Sequence, residues 1–167
     1  MSLLEQVSST ATTRGLDILE KLADDRGWIL DQADNGDLIM QSTGEWCTYD
    51  VQFTWSAEYQ CLHITCSIDM HLPADAGAEI NDLLAHINAK LWIGHFAVLA
   101  EGNTPAFRHT LLMKGPHTLK AAELEEIIEI GLGECERFYP AFQFAAFNKM
   151  CAPDAIACAL FECVGNA

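Results

Sequence analysis

Two stretches of the chain alternate apolar and polar residues with a period of two. Tyr49, Val51, Phe53 and Trp55 interleave with Thr48, Asp50, Gln52 and Thr54, and Leu62, Ile64, Cys66, Ile68 and Met70 interleave with His63, Thr65, Ser67 and Asp69. Successive side chains of a strand point to opposite faces, so the pattern predicts two antiparallel strands with one face buried and one in water. A loop centred on Glu58-Tyr59 sets Trp55 opposite Leu62 and Phe53 opposite Ile64, and the two apolar faces then coincide.

The rest of the chain divides at its turn signals. The Ser- and Thr-rich residues 1–12 are expected to be a flexible arm, and 13–167 a single domain. Leu16, Leu19, Leu22 and Ala23 recur at helical spacing until Gly27. Short strands are predicted over 28–32 and 37–42, around the turn at Asp34-Asn35-Gly36. Pro73 and Asp75 open a helix with an apolar stripe of Ile80, Leu83, Leu84, Ile87 and Leu91. A hairpin follows, turning at Gly102-Asn103-Thr104-Pro105. Thr118 is the expected N-cap of a long helix with Leu124, Ile127, Ile128, Gly131, Cys135 and Phe138 inward and Glu123, Glu125, Glu126, Glu129 and Glu136 outward. That helix is expected to end before Pro140, with more helix over 141–150 and a short last segment from Pro153. The order α-β-β-β-β-α-β-β-α predicts an α+β fold, an antiparallel sheet with helices packed on one face.

The second hairpin departs from simple alternation. Pairing across its turn places Phe96, Val98, Phe107, His109, Leu111 and Met113 on one face, and His95, Ala97, Leu99, Arg108, Thr110 and Leu112 on the other. Neither face is fully polar, so the hairpin needs cover on both sides, and a second copy of the chain is the simplest second cover. Trp92, His95, Phe96, Leu99, Phe107, Arg108 and Leu112 are therefore the candidate dimer or partner face, with Trp92 as a large anchor.

Composition narrows the classes. Half of the residues are hydrophobic, so the chain has a core to bury, and its formal charge of −15 opposes binding to nucleic acid or anionic membranes. The longest apolar run, 91–100, is too short to span a bilayer. The N-terminus lacks the basic and apolar regions of a secretory signal, and the seven cysteines form no C-x-x-C pair, so reduced thiols in a cytoplasm are expected.

Candidate chemistry is sparse. His63 and Asp69 share one strand face but stand roughly 20 Å apart at the strand's rise, too far to share a metal ion. His95, Arg108 and His109 gather in the hairpin, either as an anion-binding or acid–base set or, more plainly, as a histidine bonded to backbone and an arginine paired with Glu101 or with an acid across a dimer interface. Cys61 with His63 is the one thiol–imidazole adjacency, in a setting too acidic to favour a thiolate. Gly131-x-Gly133 lies within a helix and is no phosphate loop. No cofactor, metal or catalytic residue is expected.

A polar helix start, the segment LLAHINAKLWIGHFAVLAEGNTPAFRHTLLMKG and then an acidic helix together resemble the bacterial YbjN-like family. The resemblance runs from about residue 13 to 147 and is strongest over 87–112, on Asn88, Leu91, Trp92, Gly94, Phe96, Phe107 and Arg108. It implies a type III secretion chaperone-like fold, a homodimer and a role in bacterial sensory transduction, and it brings no catalytic residues. The strands flanking Asn35-Gly36 add a pair to the minimal chaperone-like pattern. Residues and resemblance together point to a non-enzymatic protein-binding or chaperone-like regulatory module with an unknown protein partner. The alternative is a small-molecule sensor with a pocket near His95 and Arg108.

Overall fold

The computed structural model describes residues 17–114 and 119–165. The expected arm over 1–12 and the expected cap Thr118 lie outside them. The described part of helix α1 covers 17–26, and Gly27 with φ +69° ends it. Six strands follow, β1 Leu30–Gln32, β2 Leu38–Thr43, β3 Thr48–Ser56, β4 Cys61–Ile68, β5 His95–Leu99 and β6 Thr104–Leu112. Helix α2 spans Gly77–Asn88 between β4 and β5, entered through a single 3₁₀ turn, Ala74–Ala76. Helices α3, Ala121–Asn148, and α4, Ala152–Gly165, complete the chain.

The strands form one antiparallel sheet in the order β1-β2-β3-β4-β6-β5. Its register is the one the alternation demands: Trp55 faces Leu62 and Phe53 faces Ile64 across β3 and β4. β6 docks on β4 with Phe107 beside Cys66, and β5 adds an outer edge with Phe96 beside Phe107 and His95 beside Arg108. One face of the sheet presents Tyr49, Val51, Phe53, Leu62, Ile64, Cys66, Phe96 and Phe107, all buried. The helices supply the other half of this core through Leu19, Leu83, Ile87, Leu124, Ile128, Phe138 and Phe142. Phe96 is its hub, in ring contact with Phe107, Phe138 and Phe142 at 5.5–5.9 Å between centroids.

Two expectations are corrected. Helix α3 does not stop before Pro140 but runs through it to Asn148. Proline removes the N–H that would reach the Glu136 carbonyl and costs about 3 kcal/mol in a helix interior. Beyond it, Ala141, Phe142, Ala145 and Ala146 continue the same buried face, and packing of that face outweighs the lost bond. The helix is also fastened near the proline from outside: Trp46 stacks on Tyr139, and the Glu136 carboxylate accepts from the Glu45 N–H at 2.7 Å. The start of α3 has Lys120 at its N-cap position with no side-chain cap. The segment from Pro153, expected to be short, is a full helix.

Gly131 shows why the long helix can lie so close to the sheet. A Cβ there would meet Cys66 Sγ at 2.8 Å and the Phe107 ring at 3.0 Å. The inward glycine is a contact surface for β4 and β6, and a side chain in its place would lift α3 from the strands it covers.

Candidate functional site

With the described helices on one side, no element of the described residues forms a layer over the second face of the sheet. Its rows follow from the register: His95, Arg108, Thr65 and Gln52 make one, and Thr110, His63 and Thr54 the next. Asp37 sits at the end of the latter row. It is the buried charged residue of the described core, 8% exposed. Its Oδ2 accepts from Asn35 Nδ2 at 3.0 Å, Gln52 Nε2 at 2.7 Å and Thr54 Oγ1 at 2.7 Å. The turn Asp34-Asn35-Gly36 builds this arrangement locally, because Asn35 Oδ1 also accepts from the Asp37 N–H at 3.1 Å. Nothing in the alternation pattern marks Asp37 as the organiser of the open face; an Asn-Gly turn followed by an acid is the one signal.

A groove of about 320 Å³ lies over this floor, walled by Leu99 and Ala100 and lined by Gln52, Thr54, His63, Thr65, Glu101 and Arg108. Arg108 and Glu101 both reach it without forming an ion pair with each other, so the expected Arg108–Glu101 bridge is absent from the described residues. His95 pairs with Arg108 across the strands but does not line the groove. An adjoining groove of about 260 Å³ is lined by Asp50, Asp69 and Glu101, so the face grades from basic at Arg108 to acidic beyond the turn.

The predicted partner-face residues separate into two sets. Phe96 and Phe107 are buried under the helices, so they support the hairpin from beneath and present nothing to a partner. Trp92 and Leu112, at 76% and 68% exposed, stand out at the end of the hairpin where β5 begins and β6 ends. His95 is exposed, and Leu99 and Arg108 are half-buried. Gly94 sets the path into β5: its φ is +66°, and a Cβ would strike the Phe107 ring at 2.2 Å. Asn88 completes the junction, donating to the Phe96 carbonyl at 3.0 Å and accepting the Phe96 N–H at 2.7 Å.

Charge is unevenly distributed along the sequence. Residues 83–122 contain a single acid, Glu101, against Lys90, Arg108, Lys114 and Lys120, in a chain of formal charge −15. The exposed Trp92 lies within this acid-poor segment.

The thiols offer little chemistry. Cys61 Sγ lies 3.4 Å from His63 Nε2, and His63 Nδ1 lies 2.9 Å from Thr110 Oγ1. This brings together the adjacency seen in the sequence, with Cys61 3% exposed. Burial pushes the Cys66 thiol up to about 12 and raises those of Cys135 and Cys47, so these remain protonated. Among the described residues no group of three His, Cys, Asp or Glu side chains is placed to hold a metal ion, and no helix is long and apolar enough to cross a membrane.

The fold is shared. A crystal structure of YbjN from E. coli, described as "a putative transcription regulator", superposes with a TM-score of 0.52 over 71% of this chain and 84% of that one, at 12% identity. At that identity the likeness is one of fold. Among curated proteins none matches the sequence. The family model for YbjN, "Putative bacterial sensory transduction regulator", matches residues 15–144. That match takes in α1, the whole sheet, α2 and most of α3, and the chain belongs to the YbjN family.

Proposed function

We propose that this chain is a non-enzymatic regulatory module that acts by binding protein, and that a second copy docks on the end of the hairpin bearing Trp92 and Leu112. The supporting observation is the pairing of exposed Trp92 and Leu112 with a nearly acid-free segment in an otherwise acidic chain. Two-fold association through this end brings the exposed apolar residues together twice, with few carboxylates contributed by the segment that carries them. The exposed carboxylates of α3, Glu126 and Glu129 among them, then remain outward for a basic partner segment.

Sedimentation velocity tests the reading. Fully burying a leucine is worth about 1.5–3 kcal/mol, and a symmetric contact buries it in both copies. Leu112→Asp should therefore weaken self-association at least about 100-fold while leaving the melting temperature of the monomer unchanged. Salt separates the two kinds of contact: it should leave the apolar dimer intact or strengthen it, and should strip a basic partner from α3. A wild-type protein that stays monomeric at high micromolar concentration would remove the second copy from this proposal.

A further inference from the structure

From the floor of the open-face groove we infer a binding site for a small aminocarboxylate, a molecule carrying a carboxylate and an ammonium on one short skeleton with an apolar side group. This does not rest on the dimer. Arg108 supplies the first determinant. Arg108 lines the groove and forms no ion pair with a carboxylate of the described residues. A planar fork of N–H donors that forms no ion pair within the described residues is a ready receptor for a carboxylate.

The second determinant is set by Asp37, from below. Its Oδ2 takes the amide N–H of Gln52 and the hydroxyl proton of Thr54. An ionised carboxylate is an acceptor only, so Gln52 must turn its nitrogen toward Asp37 and its oxygen away, and Thr54 has no proton left to give. Both side chains line the groove. What they offer a ligand is therefore lone pairs, suited to a donor such as an ammonium. Glu101 at the same groove adds a negative charge, and the neighbouring Asp50 and Asp69 extend it. The groove holds one group that calls for an anion and others that call for a cation, and Arg108 and Glu101 form no ion pair with each other. A zwitterion satisfies both at once; a bare anion would face Glu101, and a bare amine would face Arg108. Leu99 and Ala100 form an apolar wall for the side group, and the volume of about 320 Å³ falls at the small end of ligand sites.

The test is a binding screen of the full chain against the twenty protein amino acids by saturation-transfer NMR, with calorimetry on the best binder. That amino acid, its desamino analogue, its decarboxylated analogue and inorganic phosphate are then compared. Removing either charged group should weaken binding about 10- to 100-fold, the range of one lost charge-assisted hydrogen bond. Arg108→Gln should weaken the amino acid and its desamino analogue alike. Glu101→Gln, at an exposed turn position where folding is not at stake, should weaken the amino acid and spare the desamino analogue. The inference is overturned if no amino acid binds at millimolar concentration. It is equally overturned if phosphate binds as well as the amino acid and Glu101→Gln strengthens both, which describes a simple anion site. Loss of self-association by Leu112→Asp without loss of amino-acid binding would separate this site from the proposed dimer contact.

Discussion

Replacing Gly131 by alanine adds one methyl group at the closest approach of α3 to the sheet. In a helix interior that exchange is ordinarily favourable by about 1 kcal/mol, because glycine has more backbone freedom to lose. Here the new Cβ would lie 2.8 Å from Cys66 Sγ and 3.0 and 3.3 Å from two Phe107 ring carbons. Ordinary contacts between such atoms begin near about 3.5 Å, and added methylene groups in a filled core cost about 1–3 kcal/mol through displaced side chains and backbone. Neither neighbour can yield easily, since both belong to the central strands of a sheet pinned by Phe96. The expected balance is a net loss of up to about 2 kcal/mol. Gly133, two positions on in the same helix, has nothing within 4 Å of its would-be Cβ. Gly133→Ala should therefore gain about 1 kcal/mol. Urea denaturation of both variants should separate them by about 1–3 kcal/mol, or roughly 2–12 °C in melting temperature for a chain of this size. Cys66→Ala should recover part of the Gly131→Ala loss. If Gly131→Ala proved as stabilising as Gly133→Ala, the close approach of helix and sheet described above would be wrong.

Asn88→Ala strands both the N–H and the carbonyl of Phe96 and should cost about 2 kcal/mol by urea denaturation, with the denaturant slope unchanged. His109 lies half-buried, and desolvation, assisted by the nearby His95, holds its imidazole below the ordinary value of 6.5. A depressed folded value means that the unfolded chain takes the proton first. Stability should be full above pH 6.5 and fall as the pH drops through that value toward the folded one, and His109→Gln should flatten this part of the melting profile.

The sheet was legible because its central strands obey two constraints at once. Alternation names the buried face, and only one register across Glu58-Tyr59 lets both strands bury it; the paired residues are the expected ones from Trp55–Leu62 to Asp50–Ser67. The hairpin was legible in the faces of its strands but not in its turn: β6 begins at Thr104, paired with Leu99, so Thr104 and Pro105 of the expected turn lie in the strand instead. Pro140 misled because a local rule was set against a tertiary force: the apolar face of α3 continues past the proline, and local sequence does not reveal how much of it the sheet will cover. The candidate site was only half legible. Arg108, Leu99 and Leu112 fall on the open face by parity alone. The groove does not, because it depends on the turn after β5 approaching Gln52 and Thr54, residues far away in sequence.

The two faces of this sheet carry different kinds of specificity. On the helix side the core is closed by rings and methyl groups, and the close approach of α3 at Gly131 is met by leaving a side chain out. On the open side the polar groups are ordered by a single buried acid. Asp37 fixes which way Gln52 and Thr54 present themselves, much as a second layer of residues orients the ligands of a metal site. Asp37→Asn would undo that order without removing a groove residue, since an amide can give as well as take a proton and frees Gln52 to turn over. The consequence is specific: binding of an amino acid should fall while binding of its desamino analogue should hold or rise. A uniform loss of both would mean that Asp37 merely holds the turn together. The pattern of loss therefore decides whether the floor of the groove is oriented for a ligand or only packed.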